Sequence, residues 1–230
     1  EEVVHLLLKS GCSVGIAARR IERLKAIQDK YGTERVKIIG LDVQSQDATD
    51  KLETLIADLG GMDLYFHASG VGTQNVDLLP EIEIQTVKTN CEGFVRLVTF
   101  AFNWFYKNKV KGHIAVISSI AGTKGLGVAP AYSATKAMQN TYIQSLSQLA
   151  RIKKADISFT DIRPGFVATD LLNSNKHYPL LMKKEKVAKA IVKALKSKKR
   201  VLVIDWKFRI VVFFWRLIPS CIWERISVKN

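Results

Sequence analysis

Short apolar runs rich in β-branched residues alternate along this chain with amphipathic stretches of helical length, and that alternation limits the fold more than any other feature. Ser13 to Ala18, Val36 to Leu41, Asp63 to His67, His113 to Ser118, Asp156 to Ile162 and Val201 to Ile204 have the length and residue types of strands. Helical patterns fill the gaps. Strands apolar on both faces, separated by helix-length crossovers, predict an α/β, Rossmann-like doubly wound parallel sheet with helices on both faces. The 230 residues contain no linker, repeat or low-complexity segment. With 47% hydrophobic and 24% charged residues they suffice for one domain with a full core. That domain is expected to span 1–205, with 206–230 as an apolar and basic C-terminal extension.

Glu1 to Ser10 reads as the second half of a helix, with Val3, Val4, Leu6, Leu7 and Leu8 on its apolar side and Gly11 as its C-cap. In an α/β domain such a helix is preceded by a strand and a turn. The sequence therefore predicts a longer chain in which both lie before Glu1.

Composition narrows the chemistry. Cys12, Cys91 and Cys221 are odd in number and form no CxxC pair, which argues against a disulfide framework or a zinc site and fits a reducing, cytoplasmic setting. His5, His67, His113 and His177 show no H-x-x-x-H spacing, so no metal is expected. The net charge of +14 is concentrated: between Lys183 and Arg200 there are nine Lys or Arg and a single acid, Glu185. Val187, Ile191, Ala194 and Leu195 recur there at helical spacing, the pattern of an amphipathic helix with a solvated basic face. No nucleic-acid motif accompanies it, and nucleic acid is not an expected partner.

The reactive pattern lies in the middle of the chain. Ser119 follows the strand His113 to Ser118, and Tyr132 and Lys136 stand four residues apart in the helical pattern that comes next. At that spacing a phenol and an ammonium share one helix face. A neighbouring positive charge favours the phenolate, so Lys136 is expected to bring Tyr132 down toward the working range of a general acid or base. Ser119, at the strand end where ligands bind in such sheets, can hydrogen-bond a substrate oxygen. Taken singly, each residue reads as a surface pair or a turn.

Together they resemble the signature of the short-chain dehydrogenase/reductase family, and the resemblance runs from Glu1 to about Ile204. It implies hydride transfer between a nicotinamide cofactor and a carbonyl or secondary alcohol, with Ser119, Tyr132, Lys136 and Asn90 as the catalytic set. Asn90-Cys91-Glu92-Gly93 is similar to the family's Asn-x-x-Gly, whose Asn holds a water in a relay toward the lysine. Asp161 to Thr169 resembles the segment that packs on the nicotinamide, which implies cofactor contacts from Pro164, Gly165, Val167 and Thr169. Asp42 and Val43 resemble the turn that contacts adenine, and Gly70 the residue where the backbone approaches the ribose. Ala17-Ala18-Arg19-Arg20 has two arginines and no acid at its strand end, which favours a 2′-phosphate and hence NADP(H), read by Arg19 with Arg20 as second candidate.

Two departures from the family pattern stand out. His67-Ala68-Ser69-Gly70 replaces Asn-Asn-Ala-Gly, so bracing of the neighbouring strands is expected from Ser69 or His67. The first strand and its glycine-rich phosphate loop are not in this sequence, which is expected to weaken the diphosphate site.

Leu171, Leu172, Tyr178, Leu180, Leu181 and Met182 fall where the family places a lid over the substrate, which favours an apolar ketone or alcohol. The resemblance also implies a homodimer or homotetramer built through the helices after Asn90 and from Tyr132. From Trp206 to Trp223 the chain is dense in aromatic and aliphatic residues, but the run Ile210 to Trp215 is too short to span a bilayer. Packing on the domain, a subunit interface and an interfacial membrane helix with basic flanks all fit it. The neighbouring basic helix favours peripheral membrane contact across 183–223. The rival function is a non-catalytic NADP(H)-binding sensor or scaffold on the same fold.

Overall fold

The computed structural model describes residues 1–169, 172 and 178–228. Its strands are β1 (Val14–Ala18), β2 (Val36–Gly40), β3 (Leu64–His67), β4 (Gly112–Ile117), β5 (Ile157–Pro164) and β6 (Val201–Ile204), each within two residues of its expected ends. The helices are α1 (Glu2–Lys9), α2 (Ile21–Tyr31), α3 (Ala48–Asp58), α4 (Pro80–Val87), α5 (Phe94–Asn108), α6 (Pro130–Ile152), α7 (Lys184–Lys196), α8 (Trp206–Leu217) and the short α9 (Ser220–Trp223).

Every ladder among the described residues is parallel. The Rossmann-like architecture is as expected, with one difference: the strands form two sheets, β1 with β2, and β3, β4, β5 and β6 in that order. No ladder joins β1 to β3. Each of these strands pairs on one side, so the backbone groups of its other edge have no strand partner among the described residues.

Period-two alternation along the buried strands sorts the core into layers. On β4, Ile114 and Val116 pack with Phe94, Val98, Phe105 and Ile143 from α5 and α6. Ala115, between them, points to the opposite layer, where Val3 of α1 meets Val187, Ile191 and Leu195 of α7 and Phe208 and Val212 of α8. A third cluster, around Leu8, Ile16, Leu24, Ile27 and Val36, joins α1 and α2 to the two-stranded sheet. The buried stripe of α7 contains all four apolar positions expected from spacing, and its lysines lie on the other side. Both large layers meet at the four-stranded sheet, whose C-terminal strand ends carry the polar residues described next.

Candidate active site

Ser119 lies two residues past the end of β4. Its backbone is extended, and its hydroxyl accepts from the Ala121 amide at 3.1 Å, capping a 3₁₀ turn over Ile120–Thr123. Pro130 then opens α6, where it sacrifices no helical hydrogen bond. Tyr132 therefore lies in the first turn of α6 and Lys136 one turn further in. All three side chains border one cavity of ≈ 1490 Å³, together with Gly70 and Pro164.

Lys136 is buried, and its ammonium donates to the Ile117 carbonyl at 3.1 Å and to Gln139 Oε1 at 3.0 Å. Gln139 Nε2 in turn donates to the Asn90 carbonyl at 2.8 Å. Asn90 is fully buried in a π-helical turn, Lys88–Gly93, between α4 and α5. Such widened turns are frequent at functional sites. Its side chain clamps the loop just past Gly70: Oδ1 accepts from the Val71 amide at 2.9 Å, while Nδ2 donates to the Val71 carbonyl at 2.8 Å and to Thr135 Oγ1 at 3.1 Å. Asn90 and Lys136 are thus brought together through the side chain of Gln139. That residue was not singled out in the sequence; the signal available was a glutamine on the buried face of α6, three positions after Lys136.

The loop after β3 lies against this cluster. A Cβ at Gly70 would stand 3.3 Å from Asn90 Oδ1 and 3.5 Å from Lys136 Nζ, and one at Gly72 only 2.8 Å from the Tyr132 ring. Gly72 is thus required sterically, because any side chain there would displace the phenol.

Electrostatics differ from expectation at Tyr132. Burial pushes its phenol above the ordinary tyrosine value, and a hydrogen bond with Ser119 draws it back down. Lys136 does not dominate, since its ammonium stands 5.8 Å from the ring centroid and is engaged by Ile117 and Gln139. Burial lowers Lys136 itself to about 8, opposed by the charge of buried Asp161. Asp161 also accepts from Arg163 Nε at 2.8 Å and from Ser118. Burial drives His67 down to about 3; its Nδ1 pairs with Tyr65 Oη at 2.9 Å, within its own strand, so it does not brace a neighbouring one through that nitrogen. Ser69 is exposed.

The residues expected at the cofactor fall into two groups. Pro164, Gly165, Val167 and Thr169 border the cavity, as do Gly70 and Arg20. Arg19 is exposed and lies outside the cavity wall, whereas Arg23, one turn into α2 from Arg20, lines it. Asp42 and Val43 also lie outside the wall. Asp42 Oδ1 accepts from the Gln44 amide at 3.0 Å, and Val43 is packed under Gly93, where a Cβ would approach it to 2.8 Å. Of the expected lid, Leu172, Tyr178 and Leu180 border the cavity, while Met182 is buried in the core. Leu171 and His177 lie outside the described residues. Among the described residues no cluster of His, Cys, Asp or Glu suited to a metal ion occurs.

The chain belongs to the short chain dehydrogenase family, whose model matches residues 1–179. It is an oxidoreductase of that class. It is 29% identical over 224 residues to an uncharacterized oxidoreductase of Myxococcus xanthus, covering 95% of this chain and 87% of the relative. An uncharacterized oxidoreductase of Staphylococcus saprophyticus is 30% identical over 174 residues, 74% of this chain and 70% of that one. In structure the chain is similar to a 3-ketoacyl-(acyl-carrier-protein) reductase from Brucella melitensis, complexed with NADH, at a TM-score of 0.78 and 20% identity, covering 89% of this chain and 91% of that one. An alcohol dehydrogenase from Thermococcus sibiricus, complexed with 5-hydroxy-NADP, superposes at a TM-score of 0.75 with 21% identity, covering 88% of each chain. At these identities the two structures speak for the fold.

Proposed function

We propose that this protein is an NADP(H)-dependent oxidoreductase that interconverts an apolar ketone and its secondary alcohol. The observation that carries the reading is the convergence of Ser119, Tyr132 and buried Lys136 on one wall of a single large cavity. A sensor would need the cavity but not that set of proton-handling groups.

A nicotinamide dinucleotide fits the residues present. Gly70 leaves the backbone bare beside Lys136, Pro164 to Thr169 form a second wall, and Arg20 and Arg23 bring positive charge to the rim, where a 2′-phosphate would be read. When bound, the cofactor supplies or accepts the hydride. The protein's share is to position and to move a proton. In the reducing direction the Tyr132 hydroxyl donates its proton to the substrate oxygen, which Ser119 polarises by a hydrogen bond. The Lys136 ammonium favours the phenolate left behind. Asn90 and Gln139 hold Lys136 and the loop from Gly70 in register. Leu172, Tyr178, Leu180, Phe208 and Trp215 give the cavity an apolar lining that suits a lipophilic ketone.

Exposed Tyr106 on α5 and Ile152 on α6 support a homodimer or homotetramer built through those helices. The edges of β1 and β3 that have no strand partner among the described residues would each accept a further strand. Free Cys12, Cys91 and Cys221 fit a cytoplasmic setting.

Cofactor choice is the test. Steady-state kinetics of the native protein with an apolar ketone should show preference for NADPH, and the Arg20→Ala/Arg23→Ala variant should raise KM for NADPH while leaving that for NADH unchanged. Equal effects on both cofactors would contradict the assignment of the 2′-phosphate to these arginines.

A further inference from the structure

We infer that the outer face of α8 docks this protein onto an anionic lipid surface, directly behind one wall of its substrate cavity. At about 3.6 residues per turn, Trp206, Ile210, Phe213, Phe214 and Leu217 fall on one side of α8, and all five are exposed, from 48% at Ile210 to 62% at Leu217. The opposite side is fixed to the domain: Phe208 and Val212 are buried in the core layer shared with α1 and α7. Five large apolar groups in one exposed stripe exceed the scattered single residues that a soluble surface normally shows.

The charges around the stripe select the occupant. Lys207 falls along one edge of it, and Arg209 and Arg216 along the other; all three are exposed. Lys186 of α7 reaches Asp205, the N-cap of α8, at 3.2 Å, which brings basic α7 beside the start of α8. An apolar stripe bordered on both edges by cations matches the acyl boundary and headgroups of an anionic leaflet. A second copy of the same chain would set these cations against one another. None of the helices among the described residues is long and apolar enough to cross a membrane, so the contact is one of lying on the surface.

The platform is held firmly. Lys124 Nζ donates to the Ile218 carbonyl at 2.8 Å, and Trp223 Nε1 to the Gly125 carbonyl at 2.7 Å, which pins the end of α8 and α9 to the loop after Ser119. Phe208, Val211 and Trp215, on the inner side of the same helix, line the cavity. Docking therefore sets the cavity wall against the bilayer, so that a lipophilic substrate can reach the site from the membrane. This last step rests on the reading of the cavity as an apolar ketone site; the docking itself does not.

Flotation of the intact protein with vesicles of phosphatidylcholine, with and without phosphatidylserine, tests the inference. The protein should float with anionic vesicles at low salt and much less with neutral ones. Phe213→Glu/Phe214→Glu should lower partitioning at least about tenfold, with an unchanged melting temperature and unchanged turnover of a water-soluble ketone. Absence of flotation, or flotation indifferent to both lipid charge and the double variant, would overturn it. So would a dimer, seen by light scattering, that dissociates in the double variant while vesicles are ignored. Flotation without any ketone turnover would uphold docking and count against the proposed activity alone.

Discussion

The ammonium of Lys136 donates to Gln139 Oε1 at 3.0 Å, and the other end of the same amide donates to the Asn90 carbonyl at 2.8 Å. One glutamine thus bridges the two elements expected to form a proton relay. Gln139→Leu should leave a buried ammonium one acceptor short and a buried carbonyl without this donor, at about 1–3 kcal/mol for each unsatisfied group. Urea unfolding at pH 7 measures the loss. A variant as stable as the parent would show that the bridge is dispensable.

Gly72 offers a sharper separation of activity from stability. The Cβ introduced by Gly72→Ala would stand 2.8 Å from Tyr132 Cε2, so the ring must shift by some tenths of an ångström. A misplacement of about 1 Å at a reacting group can reduce kcat by about 10²-fold, so this smaller shift should lower kcat by up to that factor, while the partly exposed loop should tolerate the methyl with little change in melting temperature. Unchanged kcat would show that the phenol has room to spare.

Lys136 makes stability depend on pH on the alkaline side. Burial lowers it to about 8 from an ordinary value of 10.5, so between these values the unfolded chain holds the proton and the folded chain does not. Stability should therefore rise as pH increases from 8 to about 10, and the Lys136→Met variant should lack that rise. Above pH 10 the gain ends, because burial pushes the phenols of Tyr132 and Tyr65 up and favours the folded state's neutral form over ionisation. Urea midpoints at intervals from pH 7 to 10 check the slope.

His67 governs the acid side. Burial and the Lys136 charge lower it to about 3 from 6.5, and burial and the Lys198 charge lower His113 to about 4. The unfolded chain binds these protons first, so stability should fall as pH drops below 6.5. His67→Asn should flatten that fall. An unaltered acid limb would assign it to His113 and the carboxylates instead.

Strand positions, the buried stripe of α7 and the face shared by Tyr132 and Lys136 were legible because period two, period 3.6 and a four-residue spacing are local properties. What was not legible depended on distant partners. Gln139 reads as an ordinary helical glutamine until the fold places the Asn90 turn against α6. The upward push on Tyr132 comes from burial, which residue spacing does not contain. Arg23 looked like one more basic helix residue, and only the path of α2 turns it, rather than Arg19, toward the cavity. Likewise, spacing alone does not say which side of the run Trp206 to Trp223 meets the domain; the packing of α8 turns Phe208 and Val212 inward and leaves Phe213 and Phe214 outward.

If Tyr132 supplies the proton, removing its hydroxyl should all but abolish turnover without abolishing cofactor binding. NADPH absorbance followed with an apolar ketone, comparing the native protein with Tyr132→Phe, tests it most directly. For Tyr132→Phe, kcat should fall by about 10²–10⁴-fold while NADPH binding, followed by fluorescence, is retained. Turnover in Tyr132→Phe at the native rate would contradict it.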